Sequence, residues 1–506
     1  MKRMEKTTTQ PGLPARFVTV ARNAALRGDR SSPASAILLL TFTFLACASA
    51  TSACDDGQTD RPNIIFILAD DLGYGDLGCY GQQLMKTPNI DRMAREGTRF
   101  TDCYAGSTVC SPSRCVLMTG LHTGHARIRA NTCRRGGTVG YKGKWKMRRA
   151  ALTDEDVTVA DELRQLGYRT GIVGKWHLGG YDPEANPMRH GFDWFRGWLV
   201  HNVNEIAPLY YSQARYHNNE LVPIPENQDG KMVRFHTDLS VDESMEFITD
   251  SLAAQEAARE DGNDAKPFFL YLALINPHDP MVTPPEGLGE YEDKPWKLHC
   301  KQYAAMMANL DRNMGRLFEF LKKQGIDEQT IVFFASDNGA RSIPTPDLTE
   351  VAEFFDSSGP LTGYKRDMTD GGIRVPMIVR WPGHIAADQT SNAIWGFADV
   401  FPTVVDLAGG KPKTKVDGIS VAPLLLGKEQ DTQSRFLYWE HLGRGFHQAV
   451  RYGKWKAVRL GGNRPWQLFD VSQDIAEKKN VANDYPDIVK KIDQFAKENR
   501  VDSPNW

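Results

Sequence analysis

Residues 63–71 have the sequence NIIFILADD, in which an unbroken apolar run ends at two adjacent aspartates. A short continuous apolar run is typical of a parallel strand that is buried on both faces of its sheet. Three later runs follow the same pattern: YRTGIV at 168–173, FFLYLALI at 268–275 and IVFFA at 331–335. Together the four runs predict strands of one buried sheet.

Amphipathic stretches lie between these predicted strands. Thr153 can cap a helix that continues to Leu166, and apolar residues recur at helical spacing from Tyr303 to Leu321. Strands that alternate with helices are typical of an α/β fold. We therefore predict a large three-layer α/β domain over residues 61–424, with a mostly parallel central sheet and helices on both faces.

A second, smaller domain is predicted over residues 425–506. The short alternating runs FLYWEH, QAVRYGKWKAV and WQLFD indicate strands of an antiparallel sheet. Residues 485–499 have a helical pattern. The sequence thus predicts a small α+β domain that packs on the first.

Polar side chains of chemical interest follow each predicted strand of the large sheet at its carboxyl end. They are Asp70 and Asp71, then Lys175 and His177, then His278, and finally Asp337 and Asn338. In a parallel sheet these ends meet at one edge, which is where such folds bind ligands. Carboxylate and amide oxygens suit a hard cation such as Ca²⁺ or Mg²⁺, and carboxylates packed together without a cation repel one another. The pattern predicts a metal site at this edge.

Cys110 begins the sequence CSPSRCVLMTG at 110–120. Pro112 suits the first turn of a helix, which puts Cys110 at the amino end, where backbone N–H groups favour an anion. From the residues alone, Cys110 is a thiol nucleophile of low pKa, a disulfide partner or a modified cysteine.

The overall composition excludes several classes of protein. The 506 residues are 41% hydrophobic and 25% charged, which is globular composition and not that of collagen, a coiled coil or a disordered chain. The 61 basic and 63 acidic residues give a net charge of -2. A protein that coats nucleic acid carries a positive excess, so no nucleic-acid partner is expected.

Residues 1–53 have the order of a secretory leader. A basic segment precedes a short apolar run at 36–46 and the small residues Ala48-Ser49-Ala50. The run is shorter than the roughly 20 residues of a membrane span, and no later segment is long and apolar enough to span. We predict export to the periplasm or the medium, with lipid anchoring at Cys47 or Cys54 as the less favoured alternative. In an oxidising compartment some of the later cysteines could also pair.

The motifs together resemble the type I sulfatases, which are formylglycine-dependent, arylsulfatase-like members of the alkaline-phosphatase superfamily. The resemblance covers nearly all of the chain from Pro62. The matching stretches, in family order, are LADDLGYGDLGCYG (68–81), CSPSRCVLMTG (110–120), GKWHLGG (174–180), NPH (276–278), SDNG (336–339), GYKRDMTDGGIRVP (363–376) and FADVFPTVVDLAG (397–409). The resemblance implies a sulfatase-like fold and hydrolysis of sulfate esters.

The resemblance also implies a role for each site residue. A maturation enzyme would convert Cys110 to formylglycine (3-oxoalanine), and the hydrate of that aldehyde would attack sulfur. The metal ion, Ca²⁺ more often than Mg²⁺, would be held by Asp70, Asp71, Asp337, Asn338 and the group at position 110. Arg114 and Lys175 would hold the formylglycine hydroxyls. His278 and Lys365 would bind the sulfate, with His278 protonating the departing oxygen. His177 would deprotonate the remaining hydroxyl to release sulfate.

Two features bear on the substrate. His201 lies just beyond GFDWFRGWL at 191–199, where this family often places substrate contacts. Residues 126–150 contain nine lysines and arginines, among them Arg134, Arg135, Lys142 and Lys144, and no acidic residue. Such a stretch is either a solvated loop or a surface that attracts a polyanion. We expect a sulfated small molecule or polysaccharide as substrate.

Two alternatives remain open. One is a phosphoester or phosphonate hydrolase of the same superfamily; its two-zinc phosphatases need additional His/Asp ligands, whereas here Lys175 and Lys365 supply the positive charge. The other is a non-catalytic protein that binds sulfated glycans. Against that alternative, Cys110, Arg114, Lys175 and His278 are all present.

Overall fold

The computed structural model describes residues 61–142, 145–182, 185–199, 209–443 and 445–506. The predicted leader lies outside these residues, so export and lipid anchoring stay predictions. None of the described helices has the length and apolar character that a membrane crossing requires.

The described secondary structure consists of short strands and mostly short helices. The strands are β1 (Asn63–Asp70), β2 (Thr98–Phe100), β3 (Cys103–Tyr104), β4 (Thr138–Lys142), β5 (Trp145–Arg149), β6 (Arg169–Lys175), β7 (Trp194–Trp198), β8 (Ala214–His217), β9 (Glu220–Pro223), β10 (Phe268–Pro277), β11 (Thr330–Ser336), β12 (Met377–Arg380), β13 (Gln389–Ser391), β14 (Trp395–Gly396), β15 (Phe436–His441), β16 (His447–Tyr452), β17 (Trp455–Leu460) and β18 (Gln467–Asp470). The α-helices are α1 (Pro88–Arg95), α2 (Cys110–Thr119), α3 (Val159–Gln165), α4 (His236–Glu260), α5 (Leu298–Lys323), α6 (Pro346–Phe354), α7 (Asp370–Ile373), α8 (Phe397–Leu407), α9 (Ala422–Leu425) and α10 (Pro486–Glu498).

The large sheet has the strand order β13-β2-β12-β11-β1-β10-β6-β7-β8-β9. Its five central strands, from β11 to β7, are all parallel. Antiparallel neighbours, β12 and β8, flank this parallel centre on either side. The four strands predicted from apolar runs are adjacent in the order β11-β1-β10-β6, and the mostly parallel sheet is confirmed.

The sheet lies between two layers of helices. Successive side chains of a strand point to opposite faces, and in β1 Ile64 and Phe66 pack into one core whereas Ile65 and Ile67 pack into the other. Helices α2, α3 and α8 contribute to the first core, and α1, α4 and α5 contribute to the second. The predicted three-layer arrangement is confirmed.

The start of one predicted helix was wrong. Helix α3 begins at Val159 and is capped by Thr158, whose hydroxyl accepts from the Asp161 backbone N–H in a capping box. Thr153 instead donates its hydroxyl to Asp156 at 3.1 Å, and the Asp156 backbone N–H donates to the Thr153 carbonyl at 2.9 Å. The Thr153 hydroxyl and carbonyl are thus hydrogen-bonded within a local turn that precedes the helix.

The C-terminal strands β15 to β18 form an antiparallel sheet in chain order, as predicted. One of its faces packs through Trp439 and Val458 against Tyr104 and Ile373 of the large layer structure. Helix α10 covers the other face. The predicted boundary between residues 424 and 425 falls within α9, and the division into domains at that point stays a prediction.

Candidate active site

The candidate active site lies at the carboxyl edge of the parallel strands. Asp70 ends β1, Lys175 ends β6, His278 directly follows β10, and Asp337 directly follows β11. Each of these side chains is at most 3% exposed. The structure therefore brings together residues that are separated by more than 260 positions in the chain, as the sequence predicts.

Cys110 reaches the same place from helix α2. It is the first residue of that helix, it is buried, and Pro112 occupies the first turn as predicted. The Lys365 ammonium donates to Cys110 Sγ at 3.2 Å. The helix amino end and this lysine make the position of Sγ favourable for an anionic group.

Arg114 follows Cys110 by one helical turn and therefore lies on the same face of α2. Its Nε and Nη2 donate to Asp337 Oδ2 at 3.0 and 2.8 Å, and Nη2 lies 3.7 Å from Asp70 Oδ2. Its Nη1 donates to the Lys175 carbonyl at 3.1 Å. The arginine thus joins helix α2 to two strand ends.

The lysines of the site are paired with the carboxylates of β1. Lys175 contacts Asp70 Oδ2, and Lys365 contacts Asp71 Oδ1. Burial alone would raise the pKa of Asp70, but Lys175, His278 and Arg114 together hold that pKa well below its usual value. Asp70 is therefore a carboxylate, and the site alternates positive and negative groups.

Three oxygens at this edge fit the predicted metal site. Asp70 Oδ1, Asp71 Oδ2 and Asn338 Oδ1 are buried and accept no hydrogen bond from any described residue. Asn338 Nδ2 donates to Asp71 Oδ1 at 2.8 Å, which leaves the amide oxygen available as a ligand. Unpaired buried acceptors are costly, and hard oxygens are the donors that Ca²⁺ and Mg²⁺ take.

The electrostatics of the carboxylates agree with that donor set. Burial and the neighbouring Asp70 raise the pKa of Asp337 to about 7, because a further negative charge is unfavourable there. Asp70, Asp71, Cys110 and His278 each offer a ligand atom, and these atoms lie within 4.8 Å of one another. This buried cluster could hold a metal ion.

Two site residues have a left-handed backbone conformation. Asp71 has φ 67° and His177 has φ 62°, a region that non-glycine residues rarely occupy. Such strain costs free energy and persists where the surrounding structure holds the residue in place. The backbone of both residues is therefore held in a fixed orientation. Their side chains contact charged groups, Lys365 in the case of Asp71 and Arg149 in the case of His177.

The two histidines of the site each contact an arginine that the sequence analysis did not assign to the site. Arg341 Nη1 lies 2.9 Å from His278 Nε2, and Arg149 Nη1 lies 3.0 Å from His177 Nε2. Burial lowers the pKa of both histidines. Arg341 follows the SDNG motif after one residue, and Arg149 belongs to the basic stretch at 126–150. These positions were the available sequence signals, and neither arginine was assigned to the site from the sequence.

The environment of Cys110 bears on the three roles left open for it. All six cysteines of the described residues are free thiols, so none of them forms a disulfide. Burial raises the pKa of the Cys110 thiol, whereas Lys175 and Lys365 act in the opposite direction. The geometry at Cys110 is compatible with a thiol nucleophile and with a modified cysteine.

His122, His125 and Asp417 form a second polar cluster near the carboxyl end of α2. His125 Nδ1 lies 2.9 Å from Asp417 Oδ1, and His122 Nε2 lies 3.6 Å from Asp417 Oδ2. The two rings are stacked with centroids 4.5 Å apart and planes at 25°. Nitrogen lone pairs lie in the ring planes, so those of stacked rings do not converge on one ion. His201, the remaining predicted substrate contact, lies outside the described residues.

Comparisons with known proteins agree with this fold. The Sulfatase family model matches residues 62–410, and the model of the C-terminal part of N-sulphoglucosamine sulphohydrolase matches residues 363–502. N-acetylgalactosamine-6-sulfatase of Rattus norvegicus is 33% identical over 87% of this chain and 79% of its own length. Arylsulfatase D of Homo sapiens is 28% identical over 92% of this chain and 90% of its own length.

A solved structure has the same overall fold. The crystal structure of Ps i-CgsB in complex with k-i-k-neocarrahexaose superposes with a TM-score of 0.70 at 29% identity, over 88% of this chain and 94% of that one. The chain belongs to the sulfatase family, within the alkaline-phosphatase superfamily. It is an enzyme of the sulfuric ester hydrolase class.

Proposed function

We propose that the protein hydrolyses a sulfate ester of a sulfated saccharide or polysaccharide, using a formylglycine made from Cys110 and one divalent metal ion. The observation that carries this proposal is the placement of Cys110 Sγ, 3.2 Å from Lys365 Nζ, beside buried carboxylates whose oxygens are only partly hydrogen-bonded. A sulfate ester repels ordinary nucleophiles because it is an anion, so a site with several fixed cations is needed.

The metal ion would be held by Asp70, Asp71, Asp337 and Asn338, with residue 110 as a further contact. Ca²⁺ is favoured over Mg²⁺ because it accepts irregular oxygen coordination, whereas Mg²⁺ demands near-octahedral geometry. When bound, the ion supplies Lewis-acid stabilisation of negative charge on the sulfate oxygens.

Formylglycine at position 110 would supply, in its hydrated form, the hydroxyl that attacks sulfur. Arg114 and Lys175 orient this group and compensate its charge, since both side chains lie against the carboxylates that surround it. Asp337 would accept a proton from the attacking hydroxyl. His177 would then take the proton of the remaining hydroxyl of residue 110, so that the bond between the formylglycine carbon and the sulfate oxygen breaks, sulfate leaves and the aldehyde re-forms.

Lys365 and His278 bind the sulfate on the side facing Asp71. His278 Nε2 lies 3.5 Å from Asp71 Oδ2, and Lys365 contacts the other oxygen of the same carboxylate. The protonated form of His278, which the neighbouring Asp71 and Asp70 favour, would deliver a proton to the oxygen that departs with the sugar, which avoids expelling an alkoxide. Arg341 beside His278 adds positive charge on this side.

The names of similar proteins support a saccharide substrate. One relative is an N-acetylgalactosamine-6-sulfatase, and one structural neighbour was crystallised with a neocarrahexaose. We further propose export to the periplasm or the medium, and a formylglycine-generating enzyme as a partner during maturation, because residues 1–53 have the order of a secretory leader and the CSPSR motif is intact.

The test is turnover by protein that has been produced together with a formylglycine-generating enzyme. A panel of defined sulfated saccharides is compared with a phosphate monoester of a matched alcohol, and released sulfate and phosphate are both measured. The proposal predicts sulfate release from a sulfated sugar at a kcat/KM well above that for the phosphate ester. Preference for the phosphate ester would support the phosphohydrolase alternative, and binding without turnover would support the non-catalytic one.

A further inference from the structure

We propose that Arg149 binds a second anionic group of the substrate, a sulfate or carboxylate other than the ester that is cleaved. The substrate class would therefore be saccharides that carry at least two negative charges close together. This inference rests on the proposed hydrolysis of a sulfated saccharide and specifies its substrate further.

Arg149 differs from the other buried arginines in its partners. Six of the described arginines are buried, and five of them have a carboxylate within 4 Å. These pairs are Arg114 with Asp337, Arg129 with Glu440, Arg374 with Asp102, Arg380 with Asp327 and Arg451 with Asp102. Among the described residues Arg149 has no such carboxylate, although it is only 8% exposed.

The contacts of the Arg149 side chain are with neutral groups. Its Nη1 lies 3.0 Å from His177 Nε2, its guanidinium lies 5.0 Å from the centre of the Tyr181 ring, and its Nε makes no hydrogen bond to a described residue. A buried cation without a counter-charge is unfavourable, and natural proteins pair such groups or use them to bind an anion. The guanidinium has no carboxylate partner among the described residues, which indicates a place for an anion of the ligand.

The scissile sulfate is not the anion that Arg149 fits best. Lys365, Lys175 and Arg114 already surround Cys110 and the carboxylates beside it. Arg149 instead contacts His177 and Tyr181, and it forms no ion pair with the described carboxylates that Lys175, Lys365 and Arg114 contact. A planar guanidinium with free N–H groups is suited to a sulfate or a carboxylate, which it can bind through two parallel hydrogen bonds.

The position of Arg149 is fixed by the hairpin of β4 and β5. Thr138 pairs with Arg149 in this hairpin, and the Thr138 hydroxyl accepts from the Tyr181 backbone N–H at 2.6 Å. The loop that follows His177 is thereby attached to the hairpin. Arg148, the preceding residue, is exposed and donates to the Gly136 carbonyl at 3.0 Å. Adjacent arginines thus differ, one in the site and one on the surface.

Binding is measured by titration calorimetry on a Cys110→Ala background, which prevents turnover. The probes are N-acetylgalactosamine 4,6-disulfate and N-acetylgalactosamine 6-sulfate. Arg149→Gln should weaken binding of the disulfate roughly 10- to 100-fold, the range of a charged hydrogen bond, and should weaken binding of the monosulfate much less. Arg148→Gln is the matched control and should change neither. Arg149→Lys should restore part of the loss.

A structural role for Arg149 makes a different prediction. Loss of a structural ion pair lowers Tm, whereas removal of an unpaired buried cation should leave Tm unchanged or raise it. An equal loss for both sugars, no loss for either, or no binding of the disulfate to the Cys110→Ala protein would overturn the proposal. Sulfate release from 4-methylumbelliferyl sulfate by the matured wild-type enzyme is measured in parallel; its absence would count against the proposed function and not against Arg149.

Discussion

The Arg114 guanidinium donates two hydrogen bonds to one oxygen of Asp337, from Nε at 3.0 Å and from Nη2 at 2.8 Å. Arg114 stands one turn after Cys110 on α2, and Asp337 directly follows β11. This contact fixes the distance between helix α2 and the carboxyl edge of the sheet, where we propose that the metal ion binds. Both side chains are completely buried, so the pair is shielded from solvent and from salt.

Removal of a carboxylate ligand should release the bound metal. Asp70→Asn and Asp337→Asn each remove one of few anionic ligands and should lower the metal content of the purified protein, as measured by elemental analysis. Asp76→Asn is the control, because Asp76 is also buried but is bonded to the Gly73 backbone and the Tyr303 hydroxyl. Unchanged metal content in both ligand variants would contradict the assigned site.

His278→Ala should affect substrates according to their leaving group. A sugar alcohol needs a proton as it departs, whereas nitrophenol does not, so kcat/KM for a sulfated sugar should fall about 10²- to 10⁴-fold more than that for nitrophenyl sulfate. His299→Ala is a suitable control, since His299 is paired with Glu350 and lies apart from the site. Equal losses on the two substrates would move the general-acid role to another residue.

Lys456 should be important for stability. It is fully buried and contacts Asp370 at 2.7 Å and Glu477 at 3.1 Å, which joins the C-terminal sheet to the 363–376 segment that carries Lys365. Lys456→Met removes the cation that pairs with Glu477 and leaves Asp370 with Arg374 at 3.4 Å, so it should lower the free energy of unfolding by about 3–5 kcal/mol.

The control for this change is Lys454→Met. Lys454 pairs with Asp470 at the surface and is half exposed, so its replacement should change the free energy of unfolding little. Denaturant unfolding of both variants checks the difference. Similar losses of unfolding free energy for the two variants would show that the buried cluster does not stabilise the protein as predicted.

The basic stretch should assist a polymeric substrate. Arg134 and Arg135 are exposed, and neutralising both to Gln should lower kcat/KM for a sulfated polysaccharide and flatten its dependence on salt. Lys322 and Lys323 are the matched pair: they end α5, shortly before β11 begins, and therefore lie toward the opposite edge of the sheet. The same effect from both pairs, or no effect from either, would assign the stretch to a solvated surface.

The strands and the residues at their ends could be predicted because both signals are local. A parallel strand buried on both faces is a continuous apolar run, and the residue that follows it is at the functional edge. The start of α3 could not be predicted from the same rules, since Thr153 and Thr158 each precede an acidic residue by three positions and only one caps the helix.

The contacts of Arg149 with His177 and of Arg341 with His278 could not be predicted, because they depend on long-range packing. Arg149 reaches His177 because the β4–β5 hairpin folds against the loop at Tyr181, and no pattern in the sequence fixes that contact. Arg341 reaches His278 only because β10 and β11 both lie beside β1. The sequence alone does not show which charged residue of a basic stretch, or after a motif, is buried in the site.

The central claim is sulfate ester hydrolysis that depends on Cys110. The most direct test is the release of sulfate from 4-methylumbelliferyl sulfate by the matured wild-type protein, by Cys110→Ala and by Cys115→Ala. Cys115 is buried on the same helix and serves as the matched control. We expect release by wild type and Cys115→Ala, and release by Cys110→Ala that is indistinguishable from the uncatalysed background. Wild-type rates in the Cys110→Ala protein would contradict the account.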